Sequence, residues 1–284
     1  MQEAMNLGEL PLDCIVTIIS HTTPLDACRL ASVCHSFALA VRSGAVWAGL
    51  LPSDHAAICK KSGESRICNN KKEILGLLLK GIYLEGRRQR YSLLRRSGGL
   101  CRILSVSAMN IAWGDDCRFW KWEPSRSSCF SKVAHLLAVC WFEVSGKWTC
   151  SLIPGAYSIA WRLKIANPRG GIVHFLSWKK PLQFCFVTSN GVLIEKQLDL
   201  AQIPVNGFES WFEFEIGQMV VGGQRLEAQQ LDLDFYIKEL DCSFWKGGLY
   251  LDCLILRPAF CEENVLINEP VRLSEKVRGR PGVF

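Results

Sequence analysis

The chain of 284 residues has no cysteine pair in Cys-x-x-Cys spacing, although it contains 14 cysteines. Zinc sites are built from ligands in such close pairs, and the five histidines do not group with one another or with cysteines. Scattered cysteines without a secretory signal also argue against a disulfide framework. We therefore expect reduced thiols, with Cys14, Cys140 and Cys253 filling the core, and neither a metal ion nor a cofactor.

Long hydrophobic runs are also missing. The longest apolar stretch lies around residues 136–144 and is interrupted by Glu143. It falls short of the roughly 18–20 residues that a membrane-spanning helix needs. Residues 1–9 carry acidic side chains and lack the basic and apolar regions of a signal peptide. These features predict a soluble protein of the cytoplasm and nucleus that does not bind a membrane.

The sequence contains neither a Gly-x-Ser-x-Gly nucleophile motif nor a glycine-rich phosphate loop. Asp115 and Asp116 form the one conspicuous carboxylate pair, but adjacent aspartates beside Gly114 are typical of a turn. A glycosidase needs two carboxyl groups on opposite sides of the bond that it cleaves, and nothing in the sequence places them so. We predict that the chain is not an enzyme.

The net charge of +6 is concentrated between residues 60 and 102, where Lys and Arg far outnumber Asp and Glu. Nucleic-acid surfaces interleave such charges with aromatic residues that stack on bases. Only Tyr83 and Tyr91 lie in this stretch. We therefore predict no nucleic-acid partner and assign residues 53–90 to a basic, partly helical linker, with Asn70 capping a helix that Gly81 follows.

Apolar residues at helical spacing predict three helices within residues 7–52. Thr23 is the expected N-cap of the second helix, with Pro24 at its first position, and Pro52 ends the third. The second helix is expected to carry Leu30, Val33, Phe37 and Val41 on one face.

Beyond residue 100, short runs of β-branched and aromatic residues alternate with turn residues, and Asn190-Gly191 is a two-residue hairpin turn. Strands are predicted at 101–106, 133–144, 148–153, 158–165, 183–188, 211–216 and 249–256. Such spacing favours an antiparallel β-sandwich or jelly roll. The predicted fold is α+β and multidomain, with units at 1–52, 53–90, 91–258 and a tail at 259–284.

Four motif elements occur in order at the front: Leu-Pro-x-x-Cys-Ile at 10–15, Asp-Ala-Cys-Arg at 26–29, Val-Cys-x-x-Phe at 33–37 and Val-Trp at 46–47. Together they resemble the F-box, with Phe37 where that family has tryptophan. The resemblance implies docking to a Skp-type adaptor and, through it, to a cullin-based ubiquitin ligase. The candidate adaptor-binding residues are Leu10, Pro11, Ile15, Ile18, Leu25, Val33, Phe37 and Trp47. The alternative is that these side chains pack on the chain's own second half.

Three tryptophans fall within residues 110–122, followed by Trp-Phe-Glu at 141–143 and 211–213 and by Trp-Lys-Gly-Gly at 245–248. This order resembles the plant phloem-lectin (Nictaba-like) domain, and the whole chain resembles plant F-box proteins of that lectin family. The resemblance implies a sandwich that binds N-glycans or N-acetylglucosamine oligomers. The family's binding tryptophans, spaced by seven, match Trp113 and Trp120. Asp115 and Glu213 are the nearest carboxylates by type, and Gln218 stands where the family has glutamate.

The sequence leaves alternatives open at these positions. Trp113 and Trp120 either stack on sugar rings or fill the interior, whereas Trp122, Trp141, Trp211 and Trp245 are expected in the core. The predicted function is that of a substrate receptor of a Skp–cullin–F-box ligase that captures a glycoprotein target. Two rivals stay open: a receptor that recognises a protein surface alone, and a free lectin whose front helices are only structural.

Overall fold

The computed structural model describes residues 7–63, 70–166, 178–203 and 209–260. Within these residues it contains six α-helices and thirteen β-strands. The helices are α1 (Leu12–Ser20), α2 (Pro24–Leu30), α3 (His35–Arg42), α4 (Gly44–Ala48), α5 (His55–Ser62) and α6 (Lys71–Lys80). The strands are β1 (Ile82–Leu84), β2 (Gln89–Leu93), β3 (Leu100–Ser105), β4 (Asn110–Ile111), β5 (Trp120–Glu123), β6 (Val133–Leu136), β7 (Phe142–Leu152), β8 (Gly155–Ile165), β9 (Leu182–Thr188), β10 (Leu193–Leu198), β11 (Trp211–Val221), β12 (Gln229–Glu239) and β13 (Leu249–Pro258).

The front of the chain contains four α-helices, so the predicted count of three was wrong. The predicted second helix is divided into α2 and α3. The break arises at Ser32, whose hydroxyl donates to the Arg29 carbonyl at 2.7 Å and whose backbone N–H also bonds to that carbonyl. Such local bonds compete with helix continuation. Cys34 then takes an extended backbone conformation before α3.

The predicted caps are present. The Thr23 hydroxyl accepts a hydrogen bond from the Asp26 N–H at 3.1 Å, and Pro24 is the first residue of α2. The Asn70 side chain accepts from the Glu73 N–H at 3.0 Å at the start of α6. Gly81 follows α6 with a positive φ of 84°, a conformation that favours glycine.

The strands form two antiparallel sheets of eight and five strands. In the larger sheet β13 lies centrally, pairing on one edge with β3 and β6 and on the other with β8, which also pairs with β11. The smaller sheet has the order β10-β9-β12-β7-β4. The antiparallel β-rich prediction is confirmed, and β9 and β10 form the predicted hairpin around Asn190-Gly191. Its loop is longer than the two residues predicted, because Val187 pairs with Leu193 and the Thr188 N–H donates to the Val192 carbonyl. The jelly-roll arrangement stays a prediction.

The larger sheet begins at Ile82, not at residue 91. Strands β1 and β2 pair with each other, and β2 pairs with β3. They fall largely within the stretch assigned to a basic linker. Ile82, Leu84 and Arg90 are buried there, so this part of the assigned linker belongs to the sheet and is not a solvated connection. The assigned tail lies outside the described residues except for Ala259 and Phe260.

One continuous apolar core extends from Ile15 in α1 to Leu256 in β13. Between the sheets, the ring of Trp161 on β8 lies 5.7 Å from Phe235 on β12 and 6.4 Å from Phe184 on β9. The helices therefore share their packing with the two sheets, which we call together the β domain.

Polar contacts also join α1 and the segment after α4 to the β domain. The Arg225 guanidinium donates to the Ser20 and Thr22 carbonyls at the end of α1, at 3.1 and 3.3 Å. The Ser53 N–H donates to the Leu226 carbonyl at 2.9 Å. Asp54 accepts hydrogen bonds from side chains of both sheets.

The cysteines differ in burial. Cys253 is fully buried, whereas Cys140 is half-buried and Cys14 is exposed on α1, so Cys14 is not the core residue that we expected. Across the described ranges, no group of three or more His, Cys, Asp or Glu side chains could hold a metal ion. None of the helices within those ranges has the length and apolarity to span a membrane.

Candidate functional site

The first candidate surface is a set of exposed apolar side chains on the front helices. Val33, in the turn between α2 and α3, is 65% exposed, and four large apolar residues on the helices themselves are also open to solvent. α1 packs against α3, and the short 3-10 helix at Leu7–Glu9 also packs against α3, so these elements are neighbours. Exposed apolar residues on adjoining elements are typical of a protein-binding surface. The set comprises Leu7, Leu12, Ile18, Val33 and Leu39.

The eight predicted adaptor-binding residues divide into surface and scaffold. Pro11, Ile18 and Val33 are exposed, and Leu10 and Leu25 are half-buried. The remaining three, Ile15, Phe37 and Trp47, are buried. These three hold the helices together and do not present a free face.

The scaffold role of Trp47 is visible in its contacts. Its indole N–H donates to the Val41 carbonyl at 2.8 Å, which ties α4 to the end of α3. Lys72 of α6 lies over its ring, 5.3 Å from the centroid. Leu12 and Leu39 are exposed residues that sequence reasoning missed. Leu12 is exposed although it lies three residues before the buried Ile15, so the helical period alone would have placed it on the inward side of α1.

The second candidate surface is a cleft of about 920 Å³ in the β domain. Three tryptophans that line it are solvent-exposed: Trp113 by 61%, Trp141 by 40% and Trp245 by 49%. Phe119, Arg118, Cys140 and Cys242 also line it. We call it the aromatic cleft. It brings together three chain segments that are far apart in sequence.

The turn that presents Trp113 is held by two other tryptophans. The Trp120 indole N–H donates to the Ala112 carbonyl, and the Trp122 indole N–H donates to the Gly114 carbonyl, both at 3.0 Å. Trp113 has a positive φ of 62°, which a large side chain adopts only when its surroundings enforce it. The cluster of three tryptophans therefore consists of one exposed ring and two that position it.

A buried lysine organises the opposite side of the cleft. Lys246 is fully buried, and its ammonium donates to the carbonyls of Cys140 and Asp241 and forms an ion pair with Glu239 at 2.7 Å. Burial lowers the pKa of Lys246 from its ordinary value. A backbone bridge joins Lys246 to Val139. These contacts hold the segments that carry Trp141 and Trp245 side by side.

Comparison with known families identifies both parts of the chain. The family model for the F-box domain matches residues 7–48, and the model described as phloem protein 2 matches residues 99–258. The chain is an F-box protein of the phloem protein 2 family. The F-box covers α1 to α4, and the phloem protein 2 match covers most of the β domain. An F-box followed by this domain is the architecture of a substrate receptor for a ligase of the Skp–cullin–F-box type.

Relatives from Arabidopsis thaliana share this architecture over most of their length. The F-box protein PP2-A15 is 29% identical over 269 residues, which cover 89% of this chain and 88% of the relative. The putative F-box protein PP2-B12 is 32% identical over 256 residues, covering 89% of this chain and 98% of the relative. Among solved structures, a family 35 carbohydrate-binding module from Clostridium thermocellum covers 56% of this chain and 98% of its own, with 14% identity and a TM-score of 0.34. A similarity this low indicates neither fold nor function.

The structure does not bring the four predicted sugar-binding residues together. Trp113 lines the aromatic cleft, but Trp120 is only 2% exposed and presents no face to a ligand. Asp115 is exposed and does not line the cleft. Glu213 on β11 forms an ion pair with Arg257 at 2.5 Å.

Trp141 and Trp245, which we expected in the core, line the cleft instead. The signal for Trp141 was present in the sequence, because Phe142 and Val144 point inward and alternation along a strand then turns Trp141 outward. No comparable signal marked Trp245, since the burial of the neighbouring Lys246 could not be foreseen. Trp211 and Trp122 are half-buried.

The cleft offers broad aromatic faces and few unused polar groups. The Trp141 indole N–H donates to the Glu143 carboxylate at 3.1 Å. Arg118 forms an ion pair with Asp116 at 2.6 Å, and its hydrogen bonds lower the pKa of that carboxyl group from its ordinary value. The geometry therefore suits a ligand that presents an apolar face to the exposed indoles.

Proposed function

We propose that the chain is the target-binding subunit of a Skp–cullin–F-box ubiquitin ligase. The F-box docks on a Skp-type adaptor through its exposed apolar residues, and the adaptor connects it to a cullin. The aromatic cleft captures the degradation target. The observation that carries the proposal is the presence of two exposed apolar surfaces, one on the F-box and one on the β domain, on a body with one continuous core.

In this proposal the chain acts by proximity and supplies no catalytic group. Tethering a target beside the ubiquitin-charged enzyme raises the effective concentration of its lysines, which replaces a bimolecular encounter by an intramolecular one. Ubiquitin transfer is carried out by other subunits. The shared packing of helices and sheets fixes where the target lies relative to the adaptor.

Adaptor docking is tested by a pair of matched substitutions. Val33→Asp places a charge on the exposed F-box surface, whereas Val220→Asp does the same on β11, where Val220 is 71% exposed. We expect Val33→Asp to weaken binding to a purified Skp-type adaptor at least tenfold in titration calorimetry, because a carboxylate would be desolvated at the interface. Val220→Asp should bind like the wild type. If the two variants bind the adaptor with equal affinity, the F-box does not dock through this surface.

For the target we propose that the aromatic cleft binds carbohydrate of the N-glycan or N-acetylglucosamine class. Sugar rings present apolar C–H faces that stack on indole, and the three exposed tryptophans offer such faces. We expect the full-length chain, bound to its adaptor, to bind N-acetylglucosamine oligomers on a glycan array. Trp113→Ala should abolish that binding, and Phe260→Ala, which removes an exposed ring outside the cleft, should leave it intact.

A second candidate is recognition of a protein surface alone. It is favoured by contacts inside the chain that already engage two donors of the cleft, since the Trp141 N–H bonds to Glu143 and Arg118 pairs with Asp116, so that few donors are left for sugar hydroxyls. In that case the glycan array stays blank, while proximity labelling in cells still finds targets that Trp113→Ala loses. A free lectin, the third reading, predicts glycan binding with no adaptor in pull-downs.

A further inference from the structure

Two cysteines lie together in the aromatic cleft. Cys140 precedes the exposed Trp141, and Cys242 lies three residues before the exposed Trp245. Both thiols are free and both line the cleft. Cys242 Sγ donates to the Leu240 carbonyl at 3.5 Å.

The backbone around this pair is held close by independent contacts. The Lys246 ammonium binds the carbonyl of Cys140 and also that of Asp241, the residue before Cys242. Two carbonyls bound by one ammonium must lie near each other. The backbone groups of Val139 and Lys246 exchange two hydrogen bonds, at 2.9 and 2.7 Å. A disulfide requires Cα atoms about 4.4–6.8 Å apart, so its two cysteines must lie on closely neighbouring segments, as these contacts make the segments of Cys140 and Cys242.

We propose that Cys140 and Cys242 form a modification site at which a peroxide oxidant closes an intramolecular disulfide inside the aromatic cleft. The effect on target capture rests on the proposed function, whereas the disulfide itself does not. The other cysteine cluster in the described part of the chain, Cys101, Cys129 and Cys253, is buried out of reach of an oxidant. Cys242 is exposed, so it is the thiol that meets the oxidant first.

The chemistry balances with hydrogen peroxide as the co-reactant. The sulfur of Cys242 attacks one peroxide oxygen, the O–O bond breaks, and water leaves after proton transfer, giving a sulfenic acid. The sulfur of Cys140 then attacks the sulfenic sulfur, the S–O bond breaks, and a second water leaves. Two thiols are oxidised by two electrons, and one peroxide is reduced to two waters.

The surroundings make this a slow reaction at neutral pH. Partial desolvation of this exposed thiol, the neighbouring Cys140 and the carboxylate of Asp241 raise the pKa of Cys242. Asp241 is itself paired with Lys180 at 2.6 Å, and the Lys246 ammonium is paired with Glu239. Because the thiolate is the nucleophile, the pair responds to sustained oxidant and not to brief exposure.

Closing the disulfide changes the cleft. The two sulfurs must approach to about 2.05 Å, which draws the segment bearing Trp141 toward the segment bearing Trp245. We therefore expect the oxidised chain to bind its target more weakly than the reduced chain, and a reductant to restore binding.

The test uses the full-length chain in complex with its adaptor, treated with excess hydrogen peroxide and then with dithiothreitol. Peptide mapping without reduction should recover a Cys140–Cys242 cross-link from the wild type and from Cys117→Ser, which removes an exposed thiol outside the pair. Cys140→Ser and Cys242→Ser should each lose the cross-link. Phenylarsine oxide, which bridges two adjacent thiols without oxidation, should bind the wild type and neither of these two variants.

Failure to recover the cross-link, together with failure of phenylarsine oxide to protect the two thiols from alkylation, would overturn the proposal. Neither the peptide mapping nor the phenylarsine oxide measurement requires a bound target. If the cross-link forms while the glycan array stays blank, the disulfide stands and the carbohydrate proposal falls. If glycan binding is present and is equal in the oxidised and reduced wild type, the inferred effect on the cleft is wrong.

Discussion

The hydroxyl of Tyr91 donates a hydrogen bond of 3.0 Å to Oδ1 of Asp54, which ties β2 to the segment that follows the F-box. The hydroxyl of Ser151 on β7 donates to the other oxygen of the same carboxylate at 2.6 Å. One carboxylate therefore joins the end of the helical region to both sheets. The contact also contributes, after burial, to raising the pKa of Tyr91 well above its ordinary value.

Removing this carboxylate should destabilise the whole chain. We expect Asp54→Ala to lower the free energy of unfolding by about 2 kcal/mol or more, because the buried Tyr91 hydroxyl loses a charged acceptor. Urea denaturation followed by tryptophan fluorescence measures the change. Asp234→Ala is the matched control: its side chain is 57% exposed and lies 3.5 Å from Lys147, so its loss should cost less than about 1 kcal/mol. Equal effects would contradict the role assigned to Asp54.

The two tryptophans spaced by seven should behave oppositely. Trp120→Ala removes a buried indole and its hydrogen bond, so we expect a loss of about 3–5 kcal/mol in the free energy of unfolding. Trp113→Ala removes an exposed ring and should change stability by less than about 1 kcal/mol. Thermal unfolding of the two variants measures the difference. If the Trp120→Ala protein is as stable as the wild type, the Trp120 side chain is not buried in the core as described.

A glycine on β7 marks close packing between strands and core. A Cβ on Gly146 would lie 2.6 Å from the buried Phe235 ring, whereas a Cβ on Gly222 would meet nothing within 4 Å. Overpacking of this kind costs about 1–3 kcal/mol, so Gly146→Ala should lower the urea midpoint. Gly222→Ala should leave it nearly unchanged. A midpoint for Gly146→Ala equal to that of the control would contradict the packing described.

Stability should fall at alkaline pH because of buried thiols. Burial raises the pKa of Cys101 and Cys129 from 9.0 to about 12, and that of Cys150 to about 11. In the unfolded chain these thiols ionise near pH 9, while the folded chain keeps its protons. The stabilisation is therefore complete below pH 9 and is lost progressively as the pH rises toward 12.

Urea unfolding under reducing conditions at pH 8, 9 and 10 checks this dependence. Each thiol contributes about 1.4 kcal/mol per pH unit within its window. Cys101→Ala should show a shallower decline between pH 9 and 10 than the wild type does. Identical slopes would show that this thiol does not titrate differently in the two states.

Local signals were sufficient for the helix ends and for the hairpin. Thr23 and Asn70 cap helices through bonds to residues three positions away, so short-range sequence determines them. Strand β12 was missed although its inward residues alternate regularly. That pattern of Leu231, Leu233 and Phe235 was available from the sequence alone.

Long-range contacts account for what the sequence could not predict. Lys246 is buried because the carbonyl of Cys140, from a segment about 100 residues earlier, surrounds its ammonium together with the Asp241 carbonyl and the Glu239 carboxylate. Such long-range contacts leave no periodic pattern in the sequence. The exposure of Trp245 follows from the burial of its neighbour Lys246. The aromatic cleft therefore required the structure, and so did the exposure of Trp113, which the sequence left open between a ligand contact and the interior.

The unbroken packing from Ile15 to Leu256 has a consequence for the selection of lysines on a captured target. Because the F-box and the β domain share one core, the proposed receptor holds a bound target at one distance and in one orientation relative to the adaptor. The lysines that receive ubiquitin are then those that face the ubiquitin-charged enzyme in that orientation. If the aromatic cleft captures the target as proposed, exchanging the loops that carry Trp113, Trp141 and Trp245 redirects the same ligase to new targets without altering its attachment.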